Sequence, residues 1–333
     1  MTLVVTWTRT TKTGRELWML SDSRLSGGKL WDYGPKIFGI GRSDAVIAFA
    51  GDTAWTYPLI AQVTSYVESF INLRERVVDF ADMYRQILEL LNESLSFVSE
   101  PVLASEALPD CSFILAGFSP RRKDFLVRRI TFHKKKKRFE GAYPRSYGGE
   151  SVAFIGDKEP VNATVRRISE LLKASEANCA RLDMAPAVAF FEVLSSKRFR
   201  DIGGAPQVTK VYEHMNQRHF GVYWPPDVPN DEQHIYLRGR RLKPYDVLDH
   251  PWVYDPSTTS LFWHDFSPDQ RRAVTAQRAA VDVTSVGAQV TAGRNDSDDS
   301  SAQEEFDVTS DLKADGVPAI VLGWGPTGPV ASS

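Results

Sequence analysis

The chain opens Met1-Thr2-Leu3-Val4-Val5-Thr6-Trp7, placing a threonine at the head of an apolar, β-branched run that reads as a strand. A small second residue lets methionine aminopeptidase expose it. An exposed Thr2 carries its own nucleophile and base. The hydroxyl can attack a carbonyl, and the α-amine, with a reference pKa of about 7.7–8.0, can take the proton near neutral pH. Other reactive residue types are less suggestively spaced. His214 and His219 lack neighbouring carboxylates at ligand spacing, so no metal is expected. Ser26-Gly27-Gly28-Lys29 lacks the spacing of a phosphate loop, and nothing hints at an organic cofactor. The basic run His133-Lys134-Lys135-Lys136-Lys137-Arg138 reads as a solvated hairpin tip, and Cys111 opens an apolar strand as a core residue.

Strands and helices alternate in blocks around Thr2. Residues 3–8 and 16–21 flank the polar turn 10–14, and short apolar runs over 36–40 and 45–50 flank Gly41-Arg42-Ser43-Asp44. After Gly51 the period lengthens: Leu59, Val63, Val67 and Phe70, then Phe80, Met83, Ile87, Leu91 and Leu95 behind the N-cap candidate Asp79, recur at helical spacing. The pattern then repeats, with strands over 111–117, 125–132 and 151–155 and a helical stripe of Val161, Val165, Ile168 and Leu172. A helix over 185–197 with Pro186 in its first turn follows, then strands over 207–212 and 220–223. Strands and helix pairs in this order predict two sheets sandwiched between two helical layers.

Beyond Trp224 the texture changes. Pro225-Pro226-Asp227-Val228-Pro229-Asn230-Asp231 looks like a linker, residues to about 284 read as an irregular appendage, and 285–333 has the composition of disorder. With 333 residues and a formal net charge of -2, no global field recruits nucleic acid or an acidic membrane surface. Two cysteines are too few for a disulfide framework. No apolar run is long enough to span a bilayer, and no secretory signal segment opens the chain, so a cytoplasmic location is expected.

Read in order, residues 2–224 resemble the proteasome β-subunit family, together with its bacterial relative, the peptidase of the two-component ATP-dependent protease. Thr2-Leu3-Val4-Val5 resembles the nucleophile strand, Ser21-Asp22-Ser23-Arg24 the Asp-Ser-Arg signature, and Gly34-Pro35-Lys36-Ile37 the lysine segment. Ala48-Phe49-Ala50-Gly51-Asp52-Thr53-Ala54 resembles the turn before the first helix. Phe154-Ile155-Gly156 and Asp201-Ile202-Gly203-Gly204 fall where the family has further glycine turns. The resemblance implies an α+β fold, the four-layer αββα sandwich of N-terminal nucleophile hydrolases, followed by an irregular, partly disordered C-terminal extension. It also implies a threonine-type endopeptidase acting on polypeptides in a homo-oligomeric ring, with an ATPase unfoldase as a candidate partner. A non-catalytic scaffold subunit and a hydrolase of small amides are the alternatives.

By the same resemblance, Thr2 attacks once Met1 is removed, Lys36 faces its hydroxyl as a cation, and Asp22 pairs with Lys36. Gly51 offers its backbone N–H to the oxyanion. Asp157 stands where the family usually has a serine beside the terminal amine, and Asp201 corresponds to a supporting aspartate, with a shortened run to Gly203-Gly204. Asp52 occupies a position where a second glycine is common. Leu25, Phe49 and Thr53 match substrate-pocket positions; Phe49 would narrow the pocket and favour small-to-medium apolar side chains. Arg24 resembles a structural arginine near the cleft.

Overall fold

The computed structural model describes residues 2–27, 29–98, 108–174, 181–226, 228, 234–243, 246, 248 and 250–264. The stretch 285–333, expected to be disordered, lies outside them. The described residues form an α+β protein with mostly antiparallel sheets.

Strands β1 (Leu3–Thr11) and β2 (Gly14–Ser21) make the first hairpin, longer than expected because the pairing continues to Thr11↔Gly14. Strands β3 (Ile37–Gly39) and β4 (Ala45–Gly51) make the second. Helices α1 (Thr53–Ser69), α2 (Ile71–Arg74) and α3 (Phe80–Ser94) follow. Asp52 and Asp79 cap α1 and α3, each accepting a hydrogen bond from a first-turn backbone N–H. Leu59, Val63 and Val67 are buried as their spacing predicts, but Phe70 falls beyond the end of α1 and is exposed, because the helix stops one residue before it.

Then come β5 (Cys111–Ser119), β6 (Asp124–His133), β7 (Arg138–Ala142), β8 (Arg145–Tyr147) and β9 (Glu150–Gly156). The basic run is the turn between β6 and β7, with Lys136 and Arg138 paired to Glu140. Burial pushes the Cys111 thiol up to about 12. Helix α4 (Lys158–Ala174) buries Pro160, Thr164 and Ile168, a face rotated from the predicted stripe, leaving Val161 and Val165 half-buried. Helix α5 (Ala185–Ser195) starts with Pro186 in its first turn and leads to β10 (Gln207–Tyr212) and β11 (Gln217–Trp224).

The stretch expected to be an irregular appendage contributes strands. β12 (His234–Leu237), β13 (Arg240–Arg241), β14 (Trp252–Asp255) and β15 (Ser260–Trp263) extend the sheet beyond β11. Short runs such as His234-Ile235-Tyr236-Leu237 carry too little periodicity to stand out among prolines.

Among the described residues, ten strands form one sheet, with β1 between β2 and β9, and five form the other, in the order β3-β4-β5-β6-β7. Three apolar cores hold the layers together. Val4, Leu17 and Met19 of the larger sheet meet Val46, Ala48 and Ile114 of the smaller. Ile47, Phe49 and Phe113 pack under Val63, Phe80 and Ile87 of α1 and α3. Leu3, Val5 and Trp7 pack under Ile168, Phe190 and Leu194 of α4 and α5. Period-2 strands buried on both faces explain why β1 reads as a continuous apolar run. No described helix is long and apolar enough to cross a membrane.

Candidate active site

Register brings the polar residues together. In β1 and β9, Leu3 lies opposite Gly156, so the next residues outward, Thr2 and Asp157, leave their strands side by side. In β1 and β2, Val4 lies opposite Ser21, which sets Asp22 beside Leu3. The Thr2 backbone N donates to Asp157 Oδ2 (2.7 Å), and Asp157 N donates to the Thr2 carbonyl (2.9 Å).

Lys36, just before β3, reaches across from the smaller sheet. Its Nζ donates to Thr2 Oγ1 at 2.9 Å and to Asp22 Oδ1 at 2.9 Å. The Lys36 and Asp22 side chains are both 0% exposed. Asp22 is held by backbone donors as well: Leu3 N to Oδ1 (3.1 Å), and Arg24 N (3.2 Å) and Gly203 N (3.1 Å) to Oδ2. A buried carboxylate so surrounded is locked in place, and the ammonium it pairs with is compensated. Burial pulls the Lys36 ammonium below its ordinary pKa, and the Asp22 charge opposes that pull. Burial also pushes the Asp157 carboxyl above its ordinary value, opposed by the Thr2 N–H and reinforced by the Asp201 charge.

A cavity of about 310 Å3 opens on this cluster, lined by Thr2, Leu25, Ser26, Gly27, Gly51, Asp52, Thr53, Asp110, Asp157 and Asp201. Leu25 and Thr53 both line it. Phe49 does not line the cavity. The alternation of β4 turns its ring to the helical side, where it is 0% exposed and packs against Phe38 and Tyr57. Asp201 joins the cavity wall, while the loop's contact with Asp22 is made by the Gly203 N–H. Gly51 ends β4 with φ 108°, and a Cβ there would lie 2.0 Å from the Asp110 carbonyl oxygen. A side chain at Gly51 would thus strike backbone first. Arg24 is structural, with its guanidinium forked onto Asp32 (2.6 and 2.9 Å).

Gln207 escaped sequence reasoning. Its side-chain Oε1 accepts from Lys36 N (3.0 Å) and Ile37 N (3.3 Å), and its Nε2 donates to the carbonyls of Asp22 (3.2 Å) and Gly34 (2.9 Å). One buried amide thus ties together the two segments that carry the ion pair. A glutamine opening a strand has no local mark of that role. Gly203 was visible only as part of a Gly-Gly turn.

The arrangement can do a defined chemistry. A hydroxyl facing an ammonium is biased toward its alkoxide, and the ammonium's depressed pKa makes it a better proton relay than a surface lysine. Among the described residues no group of histidine, cysteine, aspartate and glutamate is placed to hold a metal ion. No family model matches the chain, and no curated protein matches it.

Proposed function

We propose that this chain is an N-terminal threonine hydrolase that cleaves amide bonds with Thr2, once the residue before it has been removed, on an αββα scaffold of the N-terminal nucleophile type. The observation that carries the reading is the buried hydrogen-bonded chain Asp22–Lys36–Thr2, with Thr2 lining a cavity. Thr2 Oγ attacks the carbonyl carbon while its proton passes to the freed α-amine, directly or through water. The tetrahedral oxyanion is stabilised by Lys36 and by the backbone N–H at Gly51. Collapse breaks the C–N bond, the leaving amine takes the proton, and water then hydrolyses the Thr2 ester to regenerate the hydroxyl and release a carboxylate. Asp157, already bonded to the Thr2 nitrogen, holds the freed amine in place.

Four carboxylates line the cavity: Asp52, Asp110, Asp157 and Asp201. Lys134 lies 3.8 Å from Asp110 at the surface and offsets part of that charge. Together with the displacement of Phe49, this replaces the apolar preference with one for neutral or cationic side chains over acidic ones. A polypeptide substrate, assembly of copies into a ring in the cytoplasm and service by an ATPase unfoldase belong to the same reading. Hydrolysis of small amides is the second reading, favoured by a cavity of only about 310 Å3 in the single chain.

Intact mass of the purified protein and labelling with an epoxyketone test the proposal together. The expected result is a chain beginning at Thr2, modified once at that residue, with turnover abolished and the fold retained in Thr2→Ala. Retention of Met1, or turnover by Thr2→Ala, sinks it. Casein against small amides, with and without an unfoldase, separates the two substrate readings.

A further inference from the structure

Asp22 and Lys36 reach each other from different sheets. Asp22 follows β2 of the larger sheet, and Lys36 precedes β3, the edge strand of the smaller. Their contact depends on how the Asp22-Ser23 segment sits against Lys36-Ile37. A turn from the C-terminal stretch touches both. Hairpin β12–β13 extends the larger sheet from β11, and its two turn residues, Arg238 and Gly239, have φ of 51° and 85°. Positive φ at both central positions marks a tight two-residue hairpin turn.

Arg238 Nη2 donates to the Ile37 carbonyl at 3.0 Å, and its guanidinium carbon stands 5.4 Å from the Phe38 ring centroid. It therefore serves the outer edge of β3 with a side chain where a further strand would otherwise pair. Among the described residues the buried Arg238 Nε has no hydrogen-bond partner, a cost of putting the guanidinium there. Gly239 is seated on the other segment, since a Cβ on it would lie 2.6 Å from Ser23 Cβ and 3.0 Å from Ser23 Oγ. Ser23 is itself pinned, donating from N to the Gly203 carbonyl (3.0 Å) and accepting from Gly34 N (2.9 Å).

We propose that the Arg238-Gly239 turn is a positioning clamp that holds the Asp22 and Lys36 segments at ion-pair distance, so that the stretch beyond Trp224 tunes how well Lys36 serves Thr2. The proposal rests on the reading of Thr2 as nucleophile with Lys36 beside it. Gln207 bridges the same segments as well, reaching the Ile37 N–H as Arg238 reaches the Ile37 carbonyl, so the clamp adjusts the pair rather than creating it.

The Lys36 Cε carbon, followed in protein carrying 13C-lysine and assigned with Lys36→Met, reports the ion pair without requiring turnover. Charges facing Lys36 are Asp22 and Arg24 after β2, Asp32 in the same loop and Asp157 after β9. Gly239→Ala changes no charge and drives a methyl into Ser23. If the clamp spaces the pair, Asp22 recedes and the Lys36 midpoint falls by about half a pH unit or more. In Arg238→Met the lost positive charge alone would raise that midpoint, so a fall there is also the mark of spacing. With peptide substrate, Arg238→Met lowers kcat about tenfold at nearly constant KM, and Arg238→Lys, which keeps a donor, recovers most of it. A Lys36 midpoint that does not fall in either Gly239→Ala or Arg238→Met overturns the clamp, and if one variant does not fold, the other decides. A wild-type chain that neither labels at Thr2 nor turns over overturns the hydrolase reading instead, and the Lys36 midpoint still decides the clamp.

Discussion

Two buried ammonium–carboxylate pairs sit at opposite ends of β2. Lys36 and Asp22 lie just past its end, and Lys210 and Glu16 lie near its start, with Lys210 paired to Trp18 from β10. Both lysines are pulled below their ordinary pKa by burial and pulled back by their partner's charge. The third neighbour is what differs. Lys36 Nζ donates to the Thr2 hydroxyl. Lys210 Nζ stands 4.6 and 4.7 Å from the ring centroids of Trp18 and Tyr212, while Glu16 also accepts from Arg9 (3.1 Å) and from the Trp18 indole (2.7 Å). The cavity beside Lys210, about 1120 Å3, is larger than the one beside Thr2. Neither a buried lysine nor a large cavity therefore singles out the proposed centre. The hydroxyl in contact with the ammonium sets it apart.

The largest expected effect separates the two lysines. Lys36→Met lowers kcat by about 10²- to 10⁴-fold in steady-state peptide hydrolysis, the range for losing a group that acts on proton transfer. Lys210→Met leaves kcat/KM within about twofold and instead destabilises the fold by about 1–3 kcal/mol in calorimetric unfolding, because Glu16 loses one charged partner but keeps others. Equal losses of activity in the two variants would break the comparison. Gly51→Ala asks the same question of the backbone. It lowers stability by about 1–3 kcal/mol through strain at a positive φ and collision with Asp110, and a variant of unchanged Tm with slowed turnover would place the methyl's effect in the cleft instead.

The smallest effect concerns pH. Asp157 has its pKa raised on folding, so the folded chain keeps its proton to higher pH than the unfolded chain does. Its contribution to stability is present below the unfolded value of about 3.9 and is lost as pH rises through the raised folded value. Asp157→Asn flattens that part of the stability profile. It also removes a negative charge from the Thr2 amine, so the acid limb of kcat/KM moves to lower pH by up to about one unit. An acid limb that stays in place would show that the amine is not the group titrating there.

Much of the architecture was legible in local pattern. The apolar run after Thr2, the change of period after Gly51, the Asp79 cap and the basic turn before Arg138 each express short-range physics, and each appears where expected. β8 and the strands beyond Trp224 were not legible, because segments of two to four residues become strands only by pairing with an edge already built.

The sequence by itself determined which side chains could react: a threonine at a strand head, an aspartate ending the next strand and a lysine opening a third. Only the tertiary structure decided that Phe49 faces the helices, that the Gly203 N–H reaches Asp22, and that Gln207 and Arg238 brace the pair. Those contacts join residues up to 201 positions apart, and long-range packing and burial, on which they depend, leave no trace in local periodicity.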